Sequence, residues 1–108
     1  MAAAFLEAKG AKILEKNYRC RQGEIDLIAR DEGYLVFVEV KYRSSRDKGA
    51  PEAAVGSQKQ RKICAVADYY RLTHGLGDGT AVRYDVLAME GREISWIRNA
   101  FPHHYRHG

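Results

Sequence analysis

The chain has 108 residues, 45% hydrophobic and 30% charged. It is long enough for one modest core and too short for two, and the balance excludes a disordered or membrane-embedded class. The net charge of +4 is compatible with a polyanionic partner, because clustered Lys and Arg displace counterions from phosphate backbones, but it selects none by itself. No apolar run approaches the roughly 20 residues that cross a bilayer, and the opening MAAAFLEAKGAK lacks the positive start of a secretory signal. The expected location is cytoplasmic.

Residues 2–9, rich in Ala, Leu, Glu and Lys and followed by Gly10, predict a helix. Residues 11–19 follow as a strand with Ile13 and Tyr18 as core candidates. Two clear strands, 24–30 and 34–42, are dense in Ile, Val, Leu and Phe and are joined by Asp31, Glu32 and Gly33. A polar loop, RSSRDKGAP, leads to a helix over 57–73. There Ile63, Val66, Ala67 and Tyr70 form the i, i+3, i+4, i+7 stripe, with Ser57 as N-cap and Gly75 near the end. The glycine-rich turn 75–79 precedes strands at 81–89 and 93–98, with Gly91 between them. Helix, three strands, helix, two strands describe a single-domain α/β fold, a mixed sheet flanked by helices. Cys20 and Cys64 lack metal-ligand spacing and read as reduced thiols.

The stretch GEIDLIARDEGYLVFVEVKYR places charges in strands built for a core. Alternation puts Leu35, Phe37, Glu39 and Lys41 on one face, and likewise Glu24, Asp26 and Ile28 against Ile25, Leu27 and Ala29. An even-length turn at Glu32 and Gly33 pairs Asp26 with Glu39 and Glu24 with Lys41. The two acids then sit roughly 5 Å apart, where like charges repel unless a cation intervenes or one carboxyl stays protonated. One reading is a Glu24–Lys41 ion pair with Asp26 and Glu39 edging into solvent. The other is a divalent-metal site, since Mg²⁺ favours oxygen ligands and a neighbouring lysine stabilises charge on a phosphate. On the second reading, deleting either acid abolishes metal binding and relieves strain in the metal-free protein.

Asp26 followed by Glu39-Val40-Lys41 on adjacent strands resembles the core of the PD-(D/E)xK nuclease superfamily, and GEID is similar to the opening of archaeal Holliday-junction resolvases. FLEAKGAKIL, GEIDLIA, LVFVEVKYR, the helix with Lys59 and AVADYY, RYDVLA and ISWIRNAF, in this order, resemble the YraN family of small bacterial proteins. The resemblance implies a restriction-endonuclease-like fold and Mg²⁺- or Mn²⁺-dependent hydrolysis of DNA, branched or structured DNA among the substrates. It assigns metal binding to Asp26, Glu39 and the Val40 carbonyl, help to the attacking water to Lys41, an accessory place to Glu24 and a phosphate contact to Lys59. A homodimer belongs to the same expectation, as does its competitor, an inactive nucleic-acid-binding module. One departure accompanies it: family members carry a Gly-Glu stretch ahead of the FL segment, and that glutamate joins the metal site in related nucleases. Here MAAAFL occupies the start, and Glu7 lies downstream of that position.

Lys59, Arg61 and Lys62 crowd the start of the second helix, where the dipole disfavours cations. With Arg43, Arg46 and Lys48 they form either a basic rim for a nucleic-acid backbone or a solvated charged face. Asp85 reads as structural. His103, His104 and His107 fall in a tail expected to fray, and adjacent Tyr69 and Tyr70 point in different directions and make no stacking platform by spacing.

Overall fold

A computed structural model describes residues 1–44 and 54–105, so Arg46, Lys48 and His107 lie outside the described residues. The elements are α1 (Ala2–Ala8), β1 (Lys12–Cys20), β2 (Gly23–Asp31), β3 (Tyr34–Arg43), α2 (Ser57–Thr73), β4 (Val82–Glu90) and β5 (Glu93–Ile97). They match the expected order. The strands form one mixed sheet in the order β1-β2-β3-β4-β5, with β3 and β4 parallel and the other neighbours antiparallel. A parallel pair needs a crossover, and α2 supplies it. Glu32 and Gly33 make the predicted two-residue turn, both with positive φ (52° and 83°), and Asp31 pairs with Tyr34.

Both faces of β3 are buried, as its continuous apolar run requires. On one side Leu35 and Phe37 pack with Ile63, Val66, Ala67 and Tyr70, the whole predicted stripe of α2. On the other, Val36 and Val38 pack with Leu6 of α1, Leu27, Ala29 and Leu87. Ser57 is not the N-cap of α2. Gly56 holds that position in an extended conformation with no side-chain cap bond, and no acid lies in the first turn, so any neutralisation of the basic start comes from outside the helix.

Strict alternation fails in β2. Leu27 and Ala29 share one face, as expected, and pack toward α1, but Ile25 joins Ile28 in the α2-side cluster instead of sharing the face of Leu27. The break is centred on Asp26. Pairing on either side, Lys16 with Leu27 and Tyr18 with Ile25, leaves Asn17 opposite it, and Asn17 adopts φ 51°. Asparagine tolerates this left-handed conformation better than the β-branched residues that fill most strands, and across from it β2 changes which side chains enter which cluster.

The assignment of Asp85 to a structural role holds. Asp85 has no exposed surface, and its carboxylate accepts from Arg83 Nε and Nη2 (both 2.9 Å), Trp96 Nε1 (2.8 Å) and the Asn99 amide (2.9 Å). Arg83 also donates to Asp31 at 2.7 Å. Burial works against the Arg83 charge, but Asp85 and Asp31 outweigh it and hold the guanidinium pKa above its ordinary value.

The tail is packed through His104. Ala100 donates to the Tyr84 carbonyl at 2.7 Å, and the Phe101 ring stacks on Tyr84. The Tyr84 hydroxyl lies 2.5 Å from His103 Nδ1, and His103 Nε2 lies 3.3 Å from Asp68. These partners assign a neutral ring that accepts from Tyr84 and donates to Asp68. Burial lowers the His103 pKa against the pull of Asp68. A histidine depressed below its unfolded value of about 6.5 supports folding above that pH and withdraws the support as pH falls through the lower folded value. The thermal midpoint should therefore drop on acidification from about pH 7 to pH 5, and His103→Gln should flatten that part of the curve relative to the parent.

Candidate functional site

The β2–β3 ladder is regular from Asp31–Tyr34 to Leu27–Val38 and then stops. Continued, it would pair Val40 with Ile25. That pair is not formed, and the Val40 amide donates instead to Asp26 Oδ2 at 2.7 Å. A side-chain carboxylate thus replaces a missing ladder acceptor, and the charge on it makes the bond stronger than the one it replaces. The N–H and C=O of a strand residue leave on the same side, so the Val40 carbonyl also faces the opening.

Asp26 and Val40 line two grooves, one on each side of the sheet. The first, of about 460 Å³, is also lined by Gly23, Glu24, Glu39, Lys59, Lys62 and Ile63. The second, of about 420 Å³, is walled by Met1, Ala2, Ala3, Lys16, Asn17 and Tyr42. Glu39, 8% exposed, enters the first groove with its carboxylate in an ion pair with Lys59 Nζ. Burial raises the Glu39 pKa, the hydrogen bond from Lys59 opposes that shift, and the Asp26 carboxyl beside it raises it further. The two acids therefore influence each other, although the ladder expected to pair them stops at Leu27 and Val38.

The lysine is not the expected one. Lys41 Nζ donates to the Ala54 carbonyl at 2.7 Å and does not line the groove, while Lys59, from the first turn of α2, holds the carboxylate. The Glu39 hydrogen bond raises the Lys59 pKa in return. Glu24 pairs with Arg19 across β1 at 3.0 Å rather than with Lys41. Arg43 pairs with Glu90 at 3.8 Å with 8% of its side chain exposed, which removes it from the exposed basic rim. Arg61 and Lys62 are exposed on α2. The strain of three cations at a helix start was the visible sign of Lys59. Asn17 could have been found as an asparagine interrupting a strand.

A mixed α/β sheet that opens between two central strands, with two carboxylates and a lysine in the opening, defines a small domain with an acidic cleft. The chain belongs to the uncharacterised protein family UPF0102, whose profile matches residues 1–89. It is 54% identical over 100 residues to a UPF0102 protein of Lachnoclostridium phytofermentans, covering 93% of this chain and 85% of that one. Identity to a UPF0102 protein of Syntrophus aciditrophicus is 50% over 105 residues, covering 94% and 82%. Among solved structures, Pyrococcus furiosus SfsA in complex with Ca²⁺ matches with a TM-score of 0.36 and 17% identity over 90% of this chain and 56% of that one. No helix among the described residues is long and apolar enough to cross a membrane.

Proposed function

We propose that this protein is a divalent-metal-dependent nuclease-like enzyme of the cytoplasm that acts on DNA, branched or structured forms included. The observation that carries the reading is the convergence of Asp26, Glu39 and Lys59 where β2 parts from β3. A buried acid seldom faces a second, half-buried one without a benefit, and hard carboxylate and carbonyl oxygens suit Mg²⁺ or Mn²⁺. Asp26, Glu39 and the Val40 carbonyl would hold the ion. Bound there, it would supply Lewis-acid polarisation of a phosphodiester and a water of lowered pKa.

The chain's own groups have separable tasks. The Val40 amide fixes the Asp26 carboxylate, so one ligand is oriented before any ion arrives. Lys59 neutralises Glu39 and, once released from it, leaves an ammonium in the groove to stabilise charge developing on a phosphate. In this reading Lys59 takes the place that the sequence pattern gave to Lys41, whose ammonium is engaged by Ala54.

The test is the thermal midpoint in chelator and in excess Mg²⁺ or Mn²⁺, followed by cleavage assays on duplex, forked and four-way DNA. An ion that binds only the native state at 100 times its Kd adds about 2.7 kcal/mol. A midpoint unmoved by millimolar metal retires the nuclease reading.

A second reading, a DNA-binding module without catalysis, is favoured by one observation. No group of three or more His, Cys, Asp or Glu side chains placed to hold a metal occurs among the described residues. It expects salt-sensitive DNA affinity with no metal response.

A further inference from the structure

Beside the acidic cleft runs a larger groove, of about 780 Å³, between α2 and the returning tail. Arg61 and Lys62 stand on its α2 wall, Gln22 and Gln58 add amides, and His103 and Tyr105 close the far side. We infer that this groove binds single-stranded DNA, with a phosphate on Arg61 and Lys62 and the adjoining unpaired base against Tyr105. The inference deepens the nuclease reading and rests on it for the location of the scissile phosphate.

Three observations support it. The groove and the acidic cleft share Lys62, and Gln22 of one adjoins Gly23 of the other, so a strand leaving the cleft enters the groove without a gap. The charge is right for phosphate: neither Arg61 nor Lys62 has an ion-pair partner among the described residues. Asp68, the acid in the lining, is already engaged by Arg71 at 2.8 Å and by His103 at 3.3 Å.

The third observation is a run of rings that leads outward from the core. Phe37 stacks on Tyr84 (5.8 Å), Tyr84 on His103 (5.8 Å), and His103 meets Tyr105 edge-on (4.8 Å). Tyr105 ends the run with 78% of its surface exposed. A ring braced by an edge-to-face contact and otherwise exposed offers its surface to a base, and such stacking is indifferent to sequence. Duplex DNA keeps its bases paired and stacked inside, so these features select an unpaired nucleotide.

The test uses fluorescence anisotropy in chelator with a dye-labelled oligo-dT of about ten nucleotides and a blunt duplex of the same length. Oligo-dT should bind more tightly than the duplex. Tyr105→Ala should weaken oligo-dT binding about tenfold, with the salt slope unchanged. The double variant Arg61→Gln with Lys62→Gln should flatten the slope by about 1.4, the contribution of two phosphates on a single strand. All three side chains are exposed, and circular dichroism confirms that the variants fold. Duplex binding as tight as oligo-dT binding, or Tyr105→Ala with unchanged affinity, overturns the inference. Because no metal is present, its failure is separate from the failure of the thermal-shift test of the cleft.

Discussion

Replacing Arg83 with Met should cost about 3–5 kcal/mol and lower the thermal midpoint by upwards of roughly 12 °C. Arg83 is 7% exposed and is the cation between two buried carboxylates, Asp31 and Asp85. Without it both acids remain in the interior; among the described residues Asp85 keeps the Trp96 and Asn99 donors, and Asp31 keeps the half-exposed Arg98 at 3.5 Å. The cost is that of stranded charge rather than of one lost contact. Adding Asp85→Asn to Arg83→Met should recover part of the loss, because an amide is cheaper to bury than an unpaired carboxylate. Urea denaturation of the parent, single and double variants measures this directly. A single variant within 1 kcal/mol of the parent would show that the network is worth no more than a surface ion pair.

Removal of the two cleft acids should abolish any metal response in both cases and move stability in opposite directions. Glu39 is buried with a raised pKa, so at neutral pH its ionised form is a burden on folding. Its partner Lys59 is largely exposed and loses little when left alone. Glu39→Gln should therefore hold or raise the midpoint of the metal-free protein. Asp26→Ala should lower stability by about 1–3 kcal/mol, because the Val40 amide loses the acceptor that replaced its ladder partner. Sequence reasoning expected relief from deleting either acid, and the hydrogen bond to Val40 reverses that expectation for Asp26. The readout is the midpoint of each variant in chelator and in excess Mn²⁺. Equal and opposite behaviour of the two variants to that expected, or a retained metal shift in either, would dissolve the roles given to these residues.

Most of the fold was legible because its signals are local. The run of Leu35 to Val38, the α2 stripe and the turn at Glu32 and Gly33 each settle their own conformation through burial and turn chemistry. The even turn was enough to bring Asp26 toward Glu39, although the ladder stops one pair short of them. What parity could not carry was the kink at Asn17, which depends on a cross-strand neighbour nine positions away and breaks alternation at the one residue that matters most. The choice of lysine was hidden for a similar reason. Lys41 and Glu39 share a strand face, but a helix after the crossover brings Lys59 onto the carboxylate, and no spacing rule within β3 foresees it. The tail was misread because Phe101 and His103 look terminal in sequence while Tyr84 and Asp68 anchor them in space.

The left-handed Asn17 has an effect beyond the cleft. β1 is an outer strand of the sheet, and outer strands offer unpaired backbone groups to any extended chain that comes by. Between the irregularity at Ile13 and Glu15 and the twist at Asn17, β1 presents no long straight row of donors and acceptors. Lys12, Lys16 and Arg19 add exposed like charge along it. The kink that opens the acidic cleft therefore also guards this rim against strand addition, so that a second copy extending the sheet through β1, and fibrous aggregation by the same route, are both disfavoured.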